Sequence, residues 1–408
     1  MIIAASRIIT GDGKTVLDGY GVLTGGKKGQ ILKVAPLQEL TTSYPDEKVC
    51  HYDDASLLPG LIDLHTHLGA WEDRPNDFRN NDYLFTCVTL NNLHSILKDG
   101  VTTVRDVGSP DMISASIISA HKMGVVPFAI PRVIPCGRGI CMTGGHIDDP
   151  LGDEAVDGPW AIRQVIRRKV KQGAKWIKVL TSYREPIPEF TQEELDAAVD
   201  EAHRRGIRLA VHSGMENTIQ MCIDAGFDTI EHGNFMTKEQ AVQMQKKGIS
   251  WTPTLYVYQD AYESAKKTVE EMGEEVTDEA LAAAARYKRM MEIPQKNFMD
   301  LYSTGVIVGA GTDVPLDKGS GSPVSKEVAI MVKCGLDPLL AIQVGTQNGA
   351  KILDLGDVCG TIREGLAADL LIVKGDPSKD IEDLQNVLAV YTGGELAYSV
   401  LEPVGVKF

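Results

Sequence analysis

A chain of 408 residues exceeds a single small core, and its length allows roughly two to three domains, a barrel of about 250 residues counting as one. With 43% hydrophobic and 24% charged residues and no low-complexity tract, the composition excludes disorder as a main theme. The net charge of −15 argues against nucleic acid or an anionic membrane surface as partner, and no apolar run approaches the ~20 residues of a membrane-spanning helix.

Residues 1–57 alternate short apolar stretches with Gly, Asp and Pro, an all-β texture. From 58 to 355 the rhythm changes: strand-like runs at 61–67, 101–107, 131–136, 175–181, 207–212, 227–232, 249–255 and 305–312 alternate with helical segments. One such segment, "TQEELDAAVDEAHRRG", offers Thr191 as N-cap, Glu194 completing a capping box, Leu195, Ala198, Val199 and Ala202 on one face, and Gly206 as stop. Eight strand–helix units imply an α/β fold with a parallel (β/α)8 barrel, an open sheet being the alternative that pattern alone leaves. After 356 the β texture returns, so 1–57 and 356–408 are expected to meet in one small β domain. The long charged segment 258–300 reads as helical and is placed to cover part of the barrel mouth.

The seven cysteines (Cys50, Cys87, Cys136, Cys141, Cys222, Cys334 and Cys359) are odd in number and scattered, and no charged, apolar leader opens the chain. Reduced thiols and a cytoplasmic location are the expectation. Cys136 and Cys141 lack a second Cys or His pair at zinc-site spacing and are read as structural.

Chemistry on a barrel belongs at the carboxyl ends of the strands. Those ends carry His65 and His67 on the first strand, Lys178 on the fourth, His212 on the fifth, His232 on the sixth and Asp313 on the eighth. In "LPGLIDLHTH", His65 and His67 are two apart and share a strand face, where both can grip one ion. His51, His94 and His203 fall at turn or helix-like positions instead. Asp313 closes the apolar run "VIVGAGTD", where a carboxylate is costly without donors or a cation, and a divalent metal supplies one. Lys178, inside "AKWIKVLTS", is either a desolvated, nucleophilic amine or a lysine that reaches the mouth or pairs with Asp313.

The ordered set of HxH, strand-four Lys, "VHSG", "IEHG" and "GTD" resembles the metal-dependent amidohydrolase superfamily over nearly the whole chain. "LLPGLIDLHTH" and "GTIREGLAADLLIVKGDP" are similar to its entry to and exit from the barrel. The resemblance implies a β-sandwich domain built from both termini and a site for two divalent metals, zinc by default. It implies His65, His67 and Asp313 on one metal, His212 and His232 on the other, and Lys178 carboxylated by CO₂ and bridging both. "TGGH", with His146, resembles the substrate loop of the branch containing imidazolonepropionase-related enzymes and Xaa-Pro and Xaa-Arg dipeptidases.

The chemistry expected is attack of a metal-activated hydroxide on an amide carbonyl, with Asp313 moving the proton to the leaving nitrogen and His146 binding the carbonyl oxygen. The substrate is a small molecule, a dipeptide or N-acyl amino acid; the alternatives are a cyclic amide, carbamate or ester, or a non-catalytic assembly protein, and the enzyme could form a homo-oligomer. Related dipeptidases place a tyrosine shortly after "IEHG" for the substrate carboxylate, where this chain has Phe235. Arg184, Tyr183 and Tyr256 are the substitutes that sequence offers.

Overall fold

A computed structural model describes residues 1–26, 29–69, 82–148, 154–182, 187–314 and 321–401. The chain begins with β1 (Ile2–Ile9), β2 (Val16–Asp18), β3 (Tyr20–Gly25), β4 (Gln30–Pro36) and β5 (Val49–Pro59). The middle of the chain carries β6 (Leu61–Thr66), β7 (Val101–Asp106), β8 (Arg132–Pro135), β9 (Ile140–Cys141), β10 (Glu154–Ala155), β11 (Trp176–Leu180), β12 (Arg208–Ser213), β13 (Thr229–His232) and β14 (Ser250–Thr252). It closes with β15 (Leu370–Lys374), β16 (Val387–Thr392) and β17 (Glu395–Ser399).

Strands from both ends of the chain form one eight-stranded sheet, in the order β17-β16-β15-β5-β1-β3-β4 with β2 on β1. Both faces are apolar, and residues alternate between them with the strand period of two. Leu57, Leu370, Ile372 and Ala389 pack with Ile3 and Ile8 on one face, while their neighbours Leu58, Leu371, Val373 and Val390 join the large central core. His51 lies in β5, a strand rather than a turn.

The middle strands pair in parallel, β6-β7-β8 and β10-β9-β11-β12-β13-β14. Lys175 N donates to Pro135 O (2.8 Å), linking the approach to β11 with the end of β8. The eighth apolar run is no regular strand and makes a single bridge, Trp251 to Val308. Its backbone nevertheless bonds on both sides: Gly309 N to Trp251 O (3.0 Å), and Leu64 N to Ala310 O (2.9 Å). Glycine explains both facts. A Cβ on Gly311 would lie 2.4 Å from Thr252 Cγ2 and 2.8 Å from His65 Cβ, so close passage excludes side chains, and glycine weakens the ladder.

Helices alternate with these strands. In helix Gln192–His203 both halves of the predicted Thr191–Glu194 capping box are present and Leu195, Ala198, Val199 and Ala202 are buried. The charged segment forms two long helices, Leu255–Met272 and Asp278–Tyr302, buried only at a few positions. No helix among the described residues is long and apolar enough to cross a membrane. None of the seven cysteines is in a disulfide, and burial pushes the Cys136 thiol up to about 12, an inert packing group.

Candidate active site

Asp63 ties the first strand to the eighth run. Its Oδ1 accepts from His65 N (2.9 Å) and Thr312 N (3.1 Å), and its Oδ2 from the hydroxyls of Thr312 and Ser322 (2.6 Å each). The side chain is fully buried, and the four donors offset the cost of burial that raises its pKa. Asp313 N in turn donates to His65 O (2.9 Å), so His65 and Asp313 hang from one knot.

The predicted strand-end residues converge. Asp313 Oδ1 lies 3.1 Å from His67 Nε2 and 3.3 Å from His65 Nε2, and its Oδ2 lies 3.9 Å from His232 Nδ1. Lys178 Nζ is 3.2 Å from His65 Nε2. The His212 ring stands 4.4 Å from His232 and 4.4 Å from His146, centroid to centroid. Ligand atoms of His65, His232 and Asp313 lie within 4.8 Å of one another, so Asp313 stands between the first-strand histidines and His232. His65 and His232 are 1% exposed and Asp313 and His67 are 23% and 24% exposed, which puts the opening on the Asp313 side. His232 (φ 67°) and Asp313 (φ 53°) both hold left-handed backbone, strain that clusters at functional sites.

Each imidazole is oriented from behind. His65 Nδ1 lies 2.7 Å from Glu231 Oε2, His67 Nδ1 3.2 Å from Gly108 O, His232 Nδ1 2.7 Å from Thr254 Oγ1 and His212 Nε2 3.2 Å from Ser182 O. Glu231 is completed by Arg105, whose Nη2 donates to its Oε1 (2.7 Å) while Nε donates to Leu64 O (2.6 Å). The guanidinium also lies over Trp176, 4.6 Å from the ring centroid. Burial would raise the Glu231 carboxyl, but Arg105 and His65 hold it well below the usual carboxylate range.

The electrostatics suit a cation. Burial pushes His212 and His232 well below the usual imidazole value, leaving neutral rings that can act as ligands. Burial opposes ionisation of Asp313, yet His65 and His67 keep it strongly acidic. Neutral imidazoles backed by fixed partners, around a carboxylate, form a donor set that fits divalent metals of the zinc type. His146 is likewise pushed down to about 4 by burial and by Lys178.

Other expected contacts differ. Tyr183 and Arg184 lie outside the described residues. Tyr256 turns from the cluster, its hydroxyl between Asp260 (3.3 Å) and Lys326 (3.2 Å). The nearby Tyr258 is the one that reaches it, with its ring 5.9 Å from that of His232. Helix Leu255–Met272 includes both tyrosines, and two helical steps turn the side chain of 256 about 200° from that of 258. Sequence reasoning also missed Glu231, Arg105 and Asp63. Their signal was a charge inside an apolar strand, which demands a buried partner.

Parallel strands whose ends gather imidazoles, a lysine and a carboxylate define a hydrolase class. Residues 56–397 match the model of the amidohydrolase family, and the chain belongs to that family, enzymes that hydrolyse amide bonds. It is 26% identical over 442 residues to ochratoxinase of Aspergillus niger, covering 97% of this chain and 86% of the relative. Among solved structures, a Xaa-Pro dipeptidase with methionine bound in its active site superposes with TM-score 0.82 at 28% identity, covering 98% of this chain and 99% of that one. The Aspergillus niger ochratoxinase structure matches with TM-score 0.82 at 24% identity, covering 97% and 94%, a likeness of fold. These neighbours have the TIM-type barrel fold of amidohydrolases.

Proposed function

We propose that this enzyme is a binuclear metal-dependent amidohydrolase that cleaves the amide bond of a dipeptide or N-acyl amino acid. The observation that carries the reading is Asp313 Oδ1 within 3.3 Å of the Nε2 atoms of both first-strand histidines. In this reading 58–355 is the (β/α)8 barrel, its eight strand positions closing through the backbone bonds of 307–313, and 1–57 with 356–408 is the β-sandwich domain.

His65, His67 and Asp313 hold one divalent ion and His212 and His232 the other, with zinc the default, and carboxylated Lys178 joins them. Carboxylation turns a buried cation into a two-oxygen anion, which suits a position surrounded by imidazoles. The ions, when bound, supply Lewis acidity toward water and the substrate carbonyl. Asp313 accepts the proton of the attacking water and passes it to the leaving nitrogen. His146, a neutral imidazole at neutral pH, donates through its N–H to the carbonyl oxygen as charge grows there. The burial of His65 and His232 keeps solvent from the far side of the site.

Two relatives support the substrate class: one is named a Xaa-Pro dipeptidase and carries methionine in its active site, the other an ochratoxinase. The test is amino-acid release from a library of dipeptides and N-acyl amino acids, with zinc and bicarbonate present throughout. Release with a preference for certain C-terminal residues is expected. Silence across the library from protein holding two metals per chain would move the assignment to cyclic amides, carbamates or esters.

A further inference from the structure

A substrate of this class ends in a carboxylate, which must meet a cation as it leaves water. The cations inside the cluster are committed. Arg105 is divided among Glu231, Leu64 O and Thr229, and Lys178 lies beside His65. The helix packed on the loop that follows His232 offers another.

That loop is pinned on three sides. His232 O accepts from Trp251 Nε1 (2.8 Å), and Phe235 N donates to Gly214 O (2.9 Å), two residues beyond His212. Asn234 Nδ2 reaches Met290 O (3.5 Å) on helix Asp278–Tyr302. One residue earlier on that helix, Arg289 lays its guanidinium over Phe235, with Cζ 4.6 Å from the ring centroid. With the described residues Arg289 makes no ion pair, while its helix neighbour Lys288 pairs with Glu292 (3.7 Å). It is exposed. A guanidinium held against an aromatic ring loses less freedom on binding, and its N–H edge stays open for two-pronged contact with a carboxylate.

We propose that Arg289, held over Phe235, receives the C-terminal carboxylate of the substrate. Specificity for substrates with a free carboxylate is then set by a residue on the long helix rather than by the strand-end loop. The inference rests on the amide-hydrolase reading above for its substrate.

Binding and turnover separate the two ideas. Phenylalanine and leucine, as products, and phenylalaninol and leucinol, which lack the carboxylate, are titrated calorimetrically into the metal-loaded wild type, R289M and R289K. The amino acids are expected to bind R289M about 10- to 100-fold more weakly, the size of a lost charge-assisted contact. R289K should recover part of this, and the amino alcohols should bind all three alike. Matched dipeptides and dipeptide amides should show the same split, the free acid losing mainly through KM. Equal amino-acid affinity in wild type and R289M, or no binding to the wild type, would overturn the proposal. Carboxylate-dependent binding that follows Arg289, without any dipeptide turnover, would uphold it and reject the hydrolytic substrate instead.

Discussion

Glu231 Oε2 stands 2.7 Å from His65 Nδ1, and both side chains are buried to within 1% of complete exclusion from solvent. The contact orients the ring: Nδ1 meets the carboxylate, which turns Nε2 toward Asp313 and Lys178 as the atom available to a metal. Arg105, at 0% exposure, keeps Glu231 charged.

Glu231→Gln is therefore expected to act on metal affinity. It removes the charge that steadies His65 and leaves Arg105 without a counter-ion. Affinity for zinc should fall about 10- to 100-fold in chelator competition, and stability by about 3–5 kcal/mol in denaturant titration. Unchanged zinc affinity in a folded variant would show that the pair serves the core alone.

Asp63→Ala tests the knot between the first strand and the eighth run. Two backbone N–H groups and two hydroxyls lose their acceptor, each loss costing about 1–3 kcal/mol less what water can recover. The melting temperature should drop by several degrees, and metal content should fall with it, because His65 and Asp313 lose their common tether. A drop in stability with full metal content would separate the knot from the site.

The strand-end set was legible because the strand period of two and the ends of apolar runs place His65, His67, Lys178, His212, His232 and Asp313 without further information. What supports them was not. Glu231 directly precedes His232, yet both reach His65, because His232 (φ 67°) has left the strand conformation whose period of two would separate them; the partners of Glu231 come from β6 and β7, far off in sequence. Arg105 looked like a charge in "VTTVRDV" and proved to be the cation of that pair. The eighth strand was overdrawn because hydrophobicity in "VIVGAG" hid the two glycines that thin its ladder. Tyr258 was not legible as the tyrosine that reaches His232, because which face of helix Leu255–Met272 meets the site depends on where the helix starts.

Glu201 gives a pH signature outside the site. Its Oε1 and Oε2 accept from Arg167 at 2.8 and 2.9 Å, and Arg205 adds a third contact at 2.7 Å, which hold its pKa at about 2. A lowered carboxylate pKa adds stability above the unfolded value of about 4.3, and this is lost as pH falls toward 2. Glu201→Gln should lower the melting temperature at pH 6 and flatten its decline between pH 4.5 and 2. Parallel curves for the two proteins would remove Glu201 from the acid response.

Lys178→Ala addresses the carboxylated bridge. The variant should hold one metal rather than two per chain by elemental analysis, and wild type prepared without bicarbonate should hold fewer than wild type prepared with it. Two metals per chain in Lys178→Ala would assign the bridge elsewhere.

The most direct test of the account is turnover of the best library substrate by Asp313→Asn, with circular dichroism and melting as checks on the fold. The carboxamide keeps the shape of the side chain but cannot accept a proton. The account predicts native spectra and a loss of about 10²- to 10⁴-fold in kcat. Near-normal turnover by a folded Asp313→Asn protein would contradict it.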